Sequence, residues 1–414
     1  MTGPSHSLRS QAGSRQPLLQ ALLVIVLSGA SYAWALSFLP SRDTIARQLS
    51  VPEAMLTQAL MEIADNRVSA ALNQIDKLLS VSPNFRLAQL IKGDLLMAHA
   101  RPISTLGAAN GAPADRVADL REEARARLAR YAFEPPRNLA PRYLLQLPAS
   151  DRYALVVDAS RSTLFVFENS GGTPRYVADY YVTVGKNGAA KMREGDKRTP
   201  LGVYRVTGRL PRDGLADLYG AGAFPISYPN EWDRLHGRSG SGIWLHGTPH
   251  DTYSRPPRAS DGCVVLTNED LAAVEKYLQL GRTPILIAER IDWSDAEDIS
   301  ALRGDLVEQI ELWRRDWESR NTDNYLRHYS RRFAANGTDY GHWAAQKKMV
   351  NGGKSWIRVQ VQDLSLMLYP GEKDLAVATF LQDYSSNNLS NQMKKRQYWQ
   401  RENGRWRIVY EGAA

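Results

Sequence analysis

The sequence predicts a multi-domain protein: a short α-helical region, a β-rich domain and an α+β domain in succession. Three observations carry that expectation. Apolar residues recur at helical spacing from 51 to about 132, beginning with Leu56, Ala59, Leu60 and Ile63. At about Asp151 the pattern changes to short β-branched and aromatic runs separated by turn residues. From about 297 helical patterns return, and three long strand-like runs follow them. A chain of 414 residues also exceeds what one hydrophobic core spans.

The amino terminus reads as an export element. Arg9 and Arg15 precede an apolar run from Leu18 to about Ala30, and Ala33 and Ala35 follow in "SYAWALS". That is the order of a secretory signal: basic region, apolar core, small-residue cleavage site. Extended through Leu39, the apolar stretch reaches about 20 residues, enough to cross a bilayer. Residues 1–40 are therefore expected to be a cleaved signal or an uncleaved membrane anchor. The apolar "AWALSFL" beyond the small residues favours the anchor. Either form puts the rest of the chain outside the cytoplasm.

Within residues 51–132, "SPNFRLAQLIKGDLLMA" resembles part of a tetratricopeptide unit, a proline break followed by a helix with small residues at packing positions. A Gly/Ala/Pro loop, "RPISTLGAANGAPAD", leads to a charged helix, "RVADLREEARARLARYAF". A proline-broken linker, "EPPRNLAPRYLLQLP", comes next. Residues 151–290 hold three strands in "RYALVVDASRSTLFVFENSGGTPRYVADYYVTVGK" and further strands in "GVYRVTGRL", "GIWLHG", "CVVL" and "TPILIAER". The helix "TNEDLAAVEKYLQLG" has Thr267 or Asn268 as its cap and Gly281 past its end. Residues 301–414 have helical patterns near 297–319 and 338–350. Strand runs follow, the last a hairpin turning at Asn403-Gly404.

The formal charge of +8 suits a negatively charged partner such as a membrane surface or an acidic polymer. No zinc-finger spacing and no long basic run is present, so nucleic acid is not the expected partner. The only cysteine, Cys263 in "ASDGCVVL", excludes an intrachain disulfide and leaves one between two copies open. A single cysteine reads either as a small buried hydrophobe or as a nucleophile. A nucleophilic thiol needs a base nearby. His246, in "GSGIWLHGTPHD" at a strand end, precedes Cys263 by 17 positions, and a loop of that length can bring the two together. Gly262 permits close backbone approach. The amides at Gly262 and Cys263 can serve a developing oxyanion, each such donor being worth about 3 kcal/mol in the transition state. His250 lies four residues after His246, but Pro249 argues against a helix there and no carboxylates complete a metal site.

These residues carry a resemblance. Residues 151–290 resemble the YkuD-type L,D-transpeptidase domain, whose mark is a His-Gly pair, a loop and Ser-x-Gly-Cys. Here the mark reads His246-Gly247 and Ser260-Asp261-Gly262-Cys263. "KRTPLGVYRV" fits the family's Thr-Pro-x-Gly strand start. "FPISYPNEWDRLHGRSGSGIWLHGTP" resembles the branch of YafK-like amidases and cell-shape-determining L,D-carboxypeptidases. The resemblance implies Cys263 as nucleophile, His246 as general base and the Gly247 carbonyl as the group orienting the imidazole. The implied substrate is a peptidoglycan stem tetrapeptide, attacked at meso-diaminopimelate with loss of D-Ala, without metal or organic cofactor. Ser260, Asp261, Gly262, Tyr228 and Arg258 are the expected substrate-binding and oxyanion residues. Two departures stand out: Asp261 where many members have His, and Val265 where many have Arg. Asp261 disfavours a neighbouring thiolate, or binds the substrate's free amine. A carboxylate anchor must then come from Arg238, Arg255 or Arg258.

Residues 301–414 resemble the cone-shaped nuclear-transport-factor-2-like fold. "LVEQIELWRRDWESRNTDNYLRHYSRRF" is similar to its opening helices. Asp316, Tyr325 and Tyr340 are candidates to face a pocket. The basic excess here, 18 Lys and Arg against 13 Asp and Glu, together with "MKKRQYW", suits a glycan strand, a peptide stem or a protein partner. The expected function is a periplasmic L,D-transpeptidase acting on peptidoglycan stem peptides. The hydrolytic alternatives are an L,D-carboxypeptidase or an amidase releasing linked lipoprotein. From another class, a catalytically idle scaffold would bind the cell wall or its proteins through the helical and C-terminal domains.

Overall fold

A computed structural model of the chain describes residues 49–98, 105–108, 113–136, 138–335 and 337–414. The signal or anchor expected over 1–40 lies outside these residues. No helix among them is long and apolar enough to cross a membrane. The chain divides into two compact units at Ala132/Phe133.

The first unit is helical: α1 (Val51–Ala64), α2 (Val68–Val81), α3 (Arg86–Ala98) and α4 (Ala114–Tyr131). The apolar period seen in the sequence is the packed face. Leu56, Ala59, Ile63, Ile75, Leu78 and Ile91 are all within 1% of full burial. Arg127 of α4 is also fully buried, and it is paired with Glu53 of α1 and Glu123 one turn earlier. Burial alone would raise the Glu53 carboxyl, but the Arg127 and Arg130 charges outweigh it and hold it below its ordinary value.

The second unit begins with β1 (Leu139–Pro141) and β2 (Leu144–Gln146), followed by β3 (Tyr153–Asp158), β4 (Thr163–Ser170), β5 (Thr173–Tyr181) and β6 (Val184–Gly185). Then come β7 (Gly202–Arg205), β8 (Ala223–Pro225), α5 (Glu231–Leu235), β9 (Trp244–His246), β10 (Arg258–Ser260), β11 (Val264–Val265), α6 (Asn268–Glu275) and β12 (Pro284–Ala288). The main sheet has the order β5-β4-β3-β12-β7, with β3 and β12 parallel and the other pairs antiparallel. A smaller sheet, β11-β9-β8, packs over one face of it. Alternation along β3 sends Leu155 and Val157 to that side, against Leu245, Val264 and Leu266. Ala154 and Val156 go to the other side, against Leu144, Leu147 and Met367. Buried on both faces, β3 reads as the continuous apolar run "YALVV" rather than as an alternating one.

The chain then enters β13 (Trp293–Asp295), α7 (Ala296–Glu318), α8 (Thr322–Leu326), β14 (Ala334–Ala335), β15 (Thr338–Asp339) and α9 (Tyr340–Gly352). It ends in the meander β16 (Ile357–Leu368), β17 (Leu375–Ser386), β18 (Leu389–Glu402) and β19 (Arg405–Ala413). Asp295 caps α7 by accepting from the Asp298 amide at 2.8 Å. Trp313 and Trp317 of α7 pack with Tyr325, Tyr329, Phe380 and Trp399 under the sheet. The hairpin turns at Asn403 and Gly404, both at positive φ as the two-residue turn demands.

Two expectations need correction. The proline-broken linker supplies strands: β1 pairs with β13, and β2 becomes the edge of the C-terminal sheet beside β16. Two three-residue strands among prolines show no period, yet Leu144, Leu145 and Leu147 are almost fully buried. The β-rich and α+β domains lie together in one compact unit, Phe133–Ala414. The basic run in "MKKRQYW" is not an open patch: Lys395 turns inward to Glu411 at 2.7 Å and Arg396 to Glu231 at 2.8 Å.

Candidate active site

The site begins with the alternation of β9 and β11. These strands are parallel, with Leu245 opposite Val264 and His246 opposite Val265. Leu245, Val264 and Leu266 face the core. A period of two therefore turns Trp244, His246, Cys263 and Val265 to the opposite side. Cys263 and His246 thus share a face, on neighbouring strands and two residues out of step.

His246 is 3% exposed. Its Nδ1 lies 2.7 Å from the carbonyl oxygen of Gly247. A carbonyl only accepts, so Nδ1 carries the proton and Nε2 is left as an acceptor. Burial holds the imidazole down at about 4, with the Arg255 charge adding to the effect and the Gly247 hydrogen bond opposing it. At neutral pH the ring is uncharged. Tyr219 sets its edge against it, with centroids 5.1 Å apart.

The Gly247 carbonyl is itself fixed. The Gly247 amide donates to Tyr219 O at 3.1 Å. A Cβ at Gly247 would fall 2.2 Å from Asn268 Oδ1. That oxygen accepts from the amides of Ala221 (2.8 Å) and Thr248 (3.2 Å), while Asn268 Nδ2 donates to Thr248 O at 2.9 Å. Asn268, the first residue of α6 after the Thr267 cap, therefore clamps the segment that orients the imidazole. The sequence offers Asn268 only as a rival cap, and its second task has no local signature.

Cys263 is partly exposed and unpaired. Its Sγ–H donates to Gly242 O at 3.3 Å. Burial pushes the thiol up. Asp261 adds to the rise, while the Trp244 amide, Arg255 and Lys191 pull against it without cancelling it. At rest the thiol and the imidazole on this face are thus both uncharged. The turn before Cys263 is closed by one hydroxyl: Ser260 Oγ donates to Cys263 O (2.7 Å) and accepts from the Gly262 amide (3.1 Å). Gly262 has φ +126, and a Cβ there would lie 2.7 Å from Arg198 O, so no other residue fits. The Gly262 amide is committed to Ser260. The Cys263 amide has no acceptor among the described residues and is the open donor.

The remaining expected residues take different places. Asp261 is exposed at the rim, 3.8 Å from Lys197. Arg258 is exposed at the start of β10. Tyr228 is 7% exposed. It packs on Tyr204 and donates its hydroxyl to Ser239 O at 2.9 Å. Arg238 is tied to Asp233 and Glu372. Arg255 is the arginine whose charge is felt by both Cys263 and His246. Its carbonyl is gripped by Tyr181 and Thr183 hydroxyls at 2.9 and 3.1 Å. Sequence reading passed over Lys191, 4% exposed, and Asp196, its partner at 2.8 Å. Burial would raise the Asp196 carboxyl, but Lys191 and the amides of Arg193, Met192 and Arg198 hold it at about 2. This pins the loop beside the thiol. In the C-terminal part, Tyr325 is core, Asp316 bonds His328 at 2.8 Å, and Tyr340 lines a 490 Å³ cavity. His250 pairs with Asp217, and no group of residues able to hold a metal ion occurs among the described residues.

Comparisons with known proteins align with this geometry. The family model of the YkuD L,D-transpeptidase catalytic domain matches residues 152–287. That of the Cds6 C-terminal NTF2-like domain matches residues 305–412. The chain is 28% identical over 138 residues to the protein named "Putative L,D-transpeptidase YafK" of Escherichia coli strain K12, covering 33% of this chain and 50% of that protein. The chain thus spans about half the length of the curated relatives it matches. Among solved structures it is similar to Bd1075 of Bdellovibrio bacteriovorus, at 30% identity and a TM-score of 0.59, covering 67% of this chain and 98% of that one. It is also similar to the helical cell shape determining protein Pgp2 of Campylobacter jejuni, at 25% identity and a TM-score of 0.55, covering 65% and 95%.

Proposed function

Because the chain belongs to the YkuD L,D-transpeptidase family and carries a Cds6-type NTF2-like domain, we propose that it is a periplasmic cysteine L,D-transpeptidase of peptidoglycan. Its donor is a stem tetrapeptide. The observation that carries the reading is the neutral thiol and neutral imidazole on one face of β9 and β11, with Nδ1 locked on Gly247 and Nε2 left to accept.

In this mechanism Cys263 Sγ attacks the carbonyl of the third residue while His246 Nε2 takes the thiol proton. The oxyanion is met by the Cys263 amide. Collapse breaks the peptide bond, and D-Ala leaves as an amine with the proton from Nε2. A thioester remains on Sγ. An incoming amine then gives a proton to Nε2 and attacks the thioester, and the returning proton restores the thiol. Arg255, whose charge reaches both Cys263 and His246, takes the substrate carboxylate in this reading, the role left open by Val265. Asp261 at the rim meets the free amine of the stem.

Water in place of the amine gives an L,D-carboxypeptidase by the same steps. Similarity to a cell shape determining protein keeps that reading alive. The deciding experiment is mass spectrometry of disaccharide-tetrapeptide muropeptides incubated with the protein, with Cys263→Ala alongside. Cross-linked dimers are the expected product, and loss of terminal alanine alone would mean hydrolysis. Unchanged substrate in both samples would leave a wall-binding scaffold as the surviving reading.

A further inference from the structure

The thiol's acceptor, Gly242 O, ends an excursion that leaves the catalytic sheet after β8 and returns as β9. The middle of that excursion is held by the C-terminal domain. Arg396 of β18 donates to both carboxylate oxygens of Glu231, at 2.9 and 2.8 Å, and Tyr398 donates to the same carboxylate at 3.0 Å. Trp232 stacks on Tyr398 with centroids 5.7 Å apart. Glu372, in the turn between β16 and β17, accepts from Trp232 Nε1 at 3.2 Å and from Arg238. Asn230 donates to the Tyr369 hydroxyl at 2.9 Å.

The returning half of the excursion has little regular structure of its own. Gly237, Gly240 and Gly242 all have positive φ. This half is held by Arg238 at one end, by the Tyr228 hydroxyl on Ser239 O, by the Ser239 amide on Met192 O at 3.1 Å and by Ile243 O, which accepts from the Ile226 amide at 3.2 Å. Beyond Gly242, Ile243 packs against Gly262, the residue before the thiol. The chain of contact therefore runs from Glu372 and Arg396 through α5 and Arg238 to Gly242 and Cys263.

We propose that Glu372 and Arg396 of the C-terminal domain are positioning residues for Cys263, so that this domain completes the active site rather than merely accompanying it. The inference deepens the acyl-transfer reading and rests on it for its meaning, but it can be tested without substrate. The groups facing the thiol are His246 and the Trp244 amide from β9, Lys191 and Arg255 from the flanking loops, and Asp261 from its own turn. None of them is altered in the test. Losing the Gly242 acceptor removes a bond that favours the protonated thiol, so thiolate should form more readily.

The experiment measures iodoacetamide alkylation of Cys263 against pH in the full chain, beside muropeptide turnover. In Glu372→Ala the alkylation midpoint should move down and the rate at neutral pH should rise about three-fold. Turnover should fall about ten-fold through misplacement of the thiol. Glu372→Gln keeps an acceptor for Trp232 and Arg238 and should restore both. Asp305→Ala, which removes the acceptor of Trp406 elsewhere in the same domain, should change neither. Arg396→Met should act like Glu372→Ala. Because Arg396 is half-buried within the join, Glu372 on its turn decides the matter if Arg396→Met does not fold. A folded Glu372→Ala with wild-type alkylation rate and midpoint overturns the inference. Wild-type protein that turns over no peptide, while alkylation shifts as described, overturns the functional reading and leaves the coupling standing.

Discussion

The thiol–imidazole pair starts uncharged on both sides, and this determines how its reactivity should follow pH. Burial raises Cys263 and lowers His246 to about 4. A resting ion pair is therefore absent near neutrality, and the free thiol should gain reactivity only as pH rises through its raised value. Alkylation rates across pH should rise late, above the ordinary thiol range near 8.5. An early plateau below pH 7 would instead indicate a thiolate–imidazolium pair. His246→Asn should leave that curve in place but lower peptide turnover about 100-fold or more, because it removes the general base. Arg255 presents a different case. If it holds a substrate carboxylate, Arg255→Met should raise KM about ten-fold, the worth of one charge-assisted hydrogen bond, with kcat less affected. Masking the stem carboxylate as an amide should abolish the difference between wild type and variant. An equal loss with the amide would place Arg255 in the loop's architecture instead. Cys263, His246 and Gly247 were expected through the resemblance of His246-Gly247 and Ser260-Asp261-Gly262-Cys263 to the family's mark, since spacing alone left Cys263 open as a small buried hydrophobe. Asn268 was not, because it acts through backbone groups brought near only by the fold, and Lys191 was not, because its pairing with Asp196 gives no sign of the thiol beyond it.

At the scale of elements, the hairpin β18–β19 shows how a sequence can mislead about charge. "MKKRQYW" has alternate residues on opposite faces, so its basic residues separate once the strand forms. Lys395 enters the C-terminal core and meets Glu411 of β19, which also accepts from Gln397 and Tyr329 at 2.8 Å each. Burial alone would raise the Glu411 carboxyl, but Lys395 and Lys347 outweigh it and hold it below its ordinary value. A carboxyl depressed on folding stabilises the protein above its unfolded value, and that stabilisation is lost as pH falls through the folded one. Glu411→Gln should therefore cost about 3 kcal/mol at pH 7, through the uncompensated Lys395. The loss should shrink as pH is lowered from 5 toward 3. Urea titrations of both proteins across that window test the sign, and a difference that stays constant or grows would refute it. The helix and hairpin limits around this cluster were readable from caps and from Asn403-Gly404. The pairing of Lys395 with Glu411 was not, because a basic run does not reveal which of its members turn inward.

For the whole second unit, the sequence marks a β-rich part and an α+β part but not their fusion. The fusion rests on pairs far apart in the chain, such as Glu231 with Arg396 and Asn230 with Tyr369, and on β2, an irregular-looking segment that closes the far sheet. No periodicity or turn signal encodes contacts at that separation. Trp232, 7% exposed, lies at the centre of the join, against Tyr369 and Tyr398. Two modules joined through a buried aromatic and a half-buried ion pair should unfold together. Calorimetry of the full chain should show the catalytic and C-terminal parts melting in one transition, with calorimetric and van't Hoff enthalpies in agreement for that transition. Trp232→Ala removes an aromatic side chain from the join and should cost about 3–5 kcal/mol. That corresponds to a lowering of roughly 6–15 °C for a unit of this size. Alkylation of Cys263 and the near-ultraviolet signal of the C-terminal tryptophans should move down together, because one reports each side of the join. If Trp232→Ala instead splits them into two steps, the modules fold independently and the interface only docks them. If neither moves, the stacking on Tyr398 adds nothing to stability, and the hold on the catalytic excursion must come from the polar contacts, Glu231 with Arg396, Arg238 with Glu372 and Asn230 with Tyr369.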